Sequence, residues 1–166
     1  MTGLAELPWK RAGAYGVVAW LVGAIITTLV LLLSTGGAVG GVTFLQQAIA
    51  FFLATHLWPL LLGGAIAGTG TAVLYTPATA MVCFVTGFKL VPTVGAETPG
   101  EGFRIGASIA AGYAGMTLLA IVALVGVTSI TVSQIPLLGI VFVATGLAFP
   151  VALGGFGGWF AVRLLT

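Results

Sequence analysis

The stretch KRAGAYGVVAWLVGAIITTLVLLLS, residues 10–34, decides the fold class of this chain. After Lys10 and Arg11 it contains no charged residue, and it lacks the alternation of apolar and polar residues that a membrane β-strand requires. A helix of about 20 such residues crosses a hydrocarbon core of about 30 Å. Secretion signals have an apolar core of only about 7–15 residues, so the stretch predicts a retained first spanning helix.

The composition extends this prediction to the whole chain. Of 166 residues, 60% are hydrophobic and 5% charged, whereas soluble domains carry roughly 25% charged residues. Lipid must therefore face most of the surface, and the chain is predicted to be an all-α integral membrane helical bundle forming a single transmembrane domain. The five basic residues form no patch for nucleic acid, and the single cysteine, Cys83, excludes an intrachain disulfide.

The few charges locate the spans. They cluster before the first apolar run, between residues 89 and 104, and at the carboxyl end. Short loops rich in Lys and Arg stay in the cytoplasm, and all three clusters can do so only with an even number of crossings. Four transmembrane helices are predicted at about residues 12–34, 74–92, 104–127 and 136–162. The chain would then be a multi-pass cell-membrane protein with both termini cytoplasmic.

One apolar segment fits neither a span nor a loop. Residues 42–62 could cross as a fifth transmembrane helix, but the cluster at residues 89–104 would then lie outside. Otherwise residues 42–70 form an outer re-entrant or interfacial helical segment, interrupted at Pro59 and at the glycines that follow. Irregular backbone at membrane depth is tolerated only where protein buries it or it lines a cavity.

Polar side chains in and after this segment are the candidate pathway residues. His56 has two interpretations: an anchor at the outer interface beside Trp58, or a proton sensor or ion ligand. No carboxylate lies within a predicted span, so neither an enzyme, nor a metal site, nor a cofactor is expected. The candidates are Gln46, Gln47, His56, Thr69, Gly70 and Thr71, with Thr76 and Thr79 further along the chain.

Small residues at intervals of four predict close helix packing. The third span has Ala107, Ala111 and Gly115, and the fourth has Gly154 and Gly158. They serve either packing within one chain or a contact between copies. Pro150 predicts a kink in the fourth span.

The carboxyl half resembles a group of small uncharacterised multi-pass membrane proteins of halophilic archaea. The resemblance rests on the strings GAS at residues 106–108, AGY at 111–113, GLAFP at 146–150 and GGFGG at 154–158. It implies an archaeal cell membrane and assigns no role to any residue.

Two functional hypotheses follow. In the first, the chain forms a homo-oligomer with a passive channel or transporter pathway for a small solute or ion. In the second, it is a structural or accessory subunit that docks on a partner membrane protein. The expected partners are the lipid bilayer and either a second copy or that partner protein, with no nucleic acid.

Overall fold

A computed structural model describes residues 8–35, 41–56, 75–127 and 135–165. The described ranges contain helices and no strand, so the predicted all-α bundle is confirmed. A π-helical segment, Phe142–Ala148, lies between the last two α-helices. The α-helices are α1 (Trp9–Thr35), α2 (Gly41–Ala54), α3 (Thr76–Val94), α4 (Pro99–Ala107), α5 (Ala110–Val127), α6 (Ile135–Val141) and α7 (Phe149–Leu165).

Four stretches of the described residues are long and apolar enough to cross a membrane. They are Trp9–Leu33, Thr76–Val94, Pro99–Gly126 and Ile135–Leu165. Each contains most of one predicted span. The third begins earlier than predicted because α4 starts at Pro99, where Thr98 and Glu101 form a capping box. Length and composition therefore identify a membrane-embedded bundle.

The charged residues meet at one end of the bundle. A guanidinium nitrogen of Arg11 donates to the carbonyl of Thr93 over 3.0 Å, which puts the start of α1 beside the end of α3. A Cβ on Gly102 would lie 2.6 Å from the side chain of Val162, which brings the end of α7 to the start of α4. If the chain crosses four times, the end of α3 lies on the same side as the start of α1. If residues 42–62 formed a fifth crossing, the end of α3 would lie on the opposite side.

Glycines allow α3, α4 and α7 to pack backbone against backbone. A Cβ on either Gly87 or Gly106 would overlap the carbonyl oxygen of Gly154. A Cβ on Gly158 would similarly overlap the carbonyl of Gly102. These positions form the glycine seam: Gly87, Gly102, Gly106, Gly154 and Gly158. Such close approach strengthens dispersion contacts, which matter in lipid because the hydrophobic effect does not drive helices together there.

The fourth span is irregular just before its proline. Pro150 has no N–H, so it cannot donate to a carbonyl on the preceding turn. In the π-helical segment that precedes it, the N–H of Phe149 bonds to the carbonyl of Ala144, five residues back. A π-helical segment of seven residues therefore precedes Pro150, and the kink predicted at Pro150 stays a prediction.

Helix α2 enters the bundle and stops there. Its 14 residues span about 21 Å, too little for a crossing. The Phe52 ring packs against Trp20 and would contact a Cβ on Gly23, near the middle of α1. The Thr76 hydroxyl donates to the carbonyl of Thr55 over 2.7 Å, so α3 begins beside the end of α2. Residues 57–70 of the predicted re-entrant segment, including Thr69 and Gly70, lie outside the described residues, as does Thr71.

Candidate functional site

A group of buried polar side chains lies where α2 ends. His56 is 3% exposed, and Thr55, Cys83 and Tyr113 are no more than 1% exposed. Helices α3 and α5 contribute to this group together with the end of α2. It is called the mid-bundle cluster below and consists of Thr55, His56, Thr76, Thr79, Cys83 and Tyr113.

The hydrogen bonds of His56 assign its tautomer. Its Nδ1 lies 2.9 Å from the carbonyl oxygen of Phe52, which can only accept, so Nδ1 carries the hydrogen. In a neutral imidazole Nε2 is then the acceptor, and it receives the hydroxyl of Tyr113 over 2.5 Å. The buried Cys83 thiol lies close to the same hydroxyl. The two bonds therefore run in one direction, from Tyr113 to His56 and from His56 to the Phe52 carbonyl.

Side chains of the cluster cap the end of α2. The last carbonyls of a helix have no partner within the helix, and at membrane depth water does not supply one. The Thr55 hydroxyl donates to the carbonyl of Phe52 over 2.7 Å, in addition to the bond from His56. The carbonyl of Thr55, just after the helix ends, accepts a hydrogen bond from the Thr76 hydroxyl. Across the described residues, no buried side-chain nitrogen or oxygen lacks a hydrogen-bond partner.

Aromatic rings close the cluster. The rings of Phe52 and Phe149 meet the His56 imidazole edge-on, with centroids 4.8 and 4.6 Å away. Trp20 packs edge-on against Phe52 and donates its indole N–H to the Thr117 hydroxyl over 3.2 Å. These rings therefore pack around the imidazole on more than one side.

The position of His56 corrects the prediction made for it. The sequence placed it at the outer interface, whereas it is buried inside the bundle and hydrogen-bonded to Tyr113. Hydropathy cannot distinguish a helix at the membrane interface from a short helix that turns into the bundle, because both carry polar residues among apolar ones. Of the other candidates, Thr76 and Thr79 join the cluster, while Gln46 and Gln47 lie two or more turns earlier on α2.

Sequence reasoning missed Tyr113 and Cys83 as cluster members. Tyr113 lies 57 residues from His56, and no local pattern connects the two. The available signal was a phenolic hydroxyl in the otherwise apolar start of α5, since a buried tyrosine hydroxyl usually finds a partner. Within the described ranges, no three His, Cys, Asp or Glu residues come close enough together to share a metal ion.

The two predicted packing motifs have different surroundings. Gly154 and Gly158 are buried in the glycine seam, so they serve packing within one chain. On the third span, however, Ala111 and Gly115 are exposed and Ala107 is half-buried. The face of that span that packs inward carries Gly102 and Gly106 instead, which corrects the predicted contact face within the chain.

No protein-family model, curated protein or solved structure matches this chain. The resemblance to halophilic archaeal proteins therefore stays a prediction.

Proposed function

We propose that this protein provides a passive pathway for a small solute or ion across the membrane, and that the mid-bundle cluster closes it. The observation that carries the proposal is the end of α2 at the middle of α1, capped by polar side chains. Transporters and channels build their sites from helices that stop near the bilayer midplane. A helix that served only as a surface anchor would have no need to bring polar groups to that depth.

The chemistry of the cluster favours a passive route over a driven one. Its groups are hydroxyls, a thiol, an imidazole and backbone carbonyls, and it includes no carboxylate or ammonium. Proton-driven pumps and transporters use chains of ionisable residues within the membrane. Neutral hydroxyls and carbonyls instead suit transient contacts with a polar solute or a partly dehydrated ion.

Opening requires the end of α2 to separate from α5. The bond between His56 and Tyr113 joins these two helices, and the Phe149 ring covers the imidazole from the fourth span. Loss of the bond should therefore favour the open conformation.

Flux into liposomes tests the proposal. Wild-type protein and Tyr113→Phe would be screened with monovalent ions and with small neutral solutes such as urea and glycerol. We expect measurable flux of at least one solute, raised several-fold by Tyr113→Phe. Tyr75→Phe is the matched control, because the Tyr75 ring packs against Phe51 of α2 and its hydroxyl has no hydrogen bond within the described residues. If neither wild type nor Tyr113→Phe exceeds protein-free liposomes, the proposal fails.

We propose the accessory-subunit role as a second candidate, because Ala111 and Gly115 face outward. Exposed small residues let another helix approach closely. Mass measurement in mild detergent tests this role: wild type should associate with a second chain, and Ala111→Leu should reduce the association. A single chain in both samples, with no partner retained from the native membrane, would remove this candidate.

A further inference from the structure

An apolar groove runs along the outside of the bundle from its charged end. Its volume is about 370 Å³, within the range of about 300–1,000 Å³ typical of ligand sites. The start of α1, the α4–α5 region and the fourth span all contribute to it. Its lining includes Trp9, Phe103, Arg104, Ala107, Ala111 and Val151.

A basic side chain lies on this apolar groove. The Arg104 side chain is exposed and makes no ion pair or hydrogen bond within the described residues. The nearby carboxylate of Glu101 is instead engaged by the backbone N–H groups of Glu97 and Thr98, at 3.1 and 3.3 Å. The guanidinium is therefore available for an external anion.

The aromatic residues indicate the depth of this end in the bilayer. Trp9 is 46% exposed on the groove, and Trp159 stacks under Arg163 at 4.6 Å near the end of α7. Tryptophan is enriched at the level of lipid headgroups, where one face is apolar and the other wet. Arg104 thus lies where a lipid phosphate would be, and the groove extends from it alongside the hydrocarbon region.

We infer that the groove binds an anionic phospholipid, with one hydrocarbon chain along Ala107 and Ala111 and the phosphate on Arg104. The small side chains of the alanines leave room for the chain, and the guanidinium matches phosphate oxygens in charge and geometry. A transmembrane helix from another chain would fill the apolar part equally well. It would, however, cover Arg104 without supplying the anion that a buried guanidinium requires.

Native mass spectrometry of the purified protein tests this site. The protein would be titrated with phosphatidylglycerol, with phosphatidylcholine carrying identical chains, and with glycerol phosphate as a headgroup without chains. We expect phosphatidylglycerol to bind most tightly and glycerol phosphate not to bind. Arg104→Gln should weaken phosphatidylglycerol binding about tenfold and change phosphatidylcholine binding little. Ala111→Leu should weaken binding of both phospholipids because it fills the groove.

Two controls separate the site from general electrostatics. Arg163→Gln removes an exposed positive charge from the same end without altering the groove, and it should weaken phosphatidylglycerol binding no more than about fivefold. When Ala111→Leu is already present, Arg104→Gln should weaken phosphatidylglycerol binding no more than Arg163→Gln does, because the role of Arg104 depends on a lipid held in the groove. Because Arg104 and Arg163 are both exposed, we expect their substitution to leave the fold undisturbed, which circular dichroism would verify.

Several results would overturn the inference. If Arg104→Gln and Arg163→Gln weakened phosphatidylglycerol binding equally, the lipid would be held by non-specific electrostatic attraction and not by a site at Arg104. Unchanged lipid binding in Ala111→Leu would show that the chain lies elsewhere. A second protein chain that is lost in Ala111→Leu while the number of bound lipids is constant would identify the groove as a protein contact.

Discussion

The Nε2 atom of His56 lies 2.5 Å from the hydroxyl oxygen of Tyr113, and this contact ties the end of α2 to α5. On its other side, His56 caps the helix that carries it by donating from Nδ1 to Phe52. A single imidazole thus performs two tasks, because its two nitrogens have opposite roles in the neutral tautomer. The same side chain that permits α2 to end inside the bundle also fixes that end in place.

Replacing Tyr113 with Phe should destabilise the protein by about 1–3 kcal/mol. The substitution leaves the ring but removes the donor to His56, so Nε2 stays buried without a partner. The free energy of unfolding in detergent, from denaturant titration, measures the loss. Tyr75→Phe should cost less than half as much, and equal costs would argue against the His56–Tyr113 bond as a stabilising contact.

Replacing Thr76 with Val should loosen the junction between α2 and α3. Valine keeps the shape but leaves the Thr55 carbonyl unpaired inside the bundle, at a cost of about 1–3 kcal/mol. Thr86→Val is the control, since the Thr86 hydroxyl bonds only to the carbonyl of Val82 on its own helix. That carbonyl keeps its helical partner after the substitution. Hydrogen exchange of α2 amides should accelerate in Thr76→Val and not in Thr86→Val; equal exchange in both would contradict the role of Thr76.

The four candidate spans of the described residues could be predicted from the sequence because so few charges had to be placed. If the charged clusters around Lys10, Lys89 and Arg163 all lie on one side of the membrane, the chain crosses four times. The contact of Arg11 with Thr93 agrees with this arrangement, because it puts two of these clusters at the same end of the bundle. The depth of α2 could not be predicted in this way. It depends on which carbonyls are capped at its end, and the caps include Thr76, which is 21 residues away.

The contact face of the third span was ambiguous for a geometric reason. Residues 102, 106 and 110 recur every four positions, and so do residues 107, 111 and 115, on another face of the same helical stretch. Both sets are small enough for close packing. The sequence of α7 does not indicate which of the two sets it packs against. The structure shows that Gly106 faces Gly154 on α7.

This geometry predicts opposite outcomes for two alanine substitutions in the same span. Gly106→Ala places a methyl group on the carbonyl of Gly154, and backbone atoms cannot move aside as a flexible side chain can. We expect a loss of about 3 kcal/mol, seen as a lower yield of folded protein and a lower Tm. Gly115→Ala meets nothing within 4 Å and should leave Tm unchanged or slightly raised. A loss of similar size at Gly115 would place that residue in a contact outside the single chain.

The orientation of the bundle predicts which introduced cysteines react from each side of the membrane. Gly100 lies in the exposed first turn of α4 at the charged end, and Ile135, 57% exposed, begins the fourth span at the opposite end. The basic residues at the charged end favour the cytoplasm. A membrane-impermeant maleimide should therefore label Ile135→Cys in intact cells, and Gly100→Cys only after permeabilisation. The native Cys83 is fully buried, so unmodified protein should stay unlabelled under both conditions and serves as the control.

Labelling of Gly100→Cys in intact cells would reverse the orientation, because the charged end would then face outward. Labelling of both variants from one side would contradict the crossing of the fourth span, since Gly102 and Val162 fix its far end beside the start of α4.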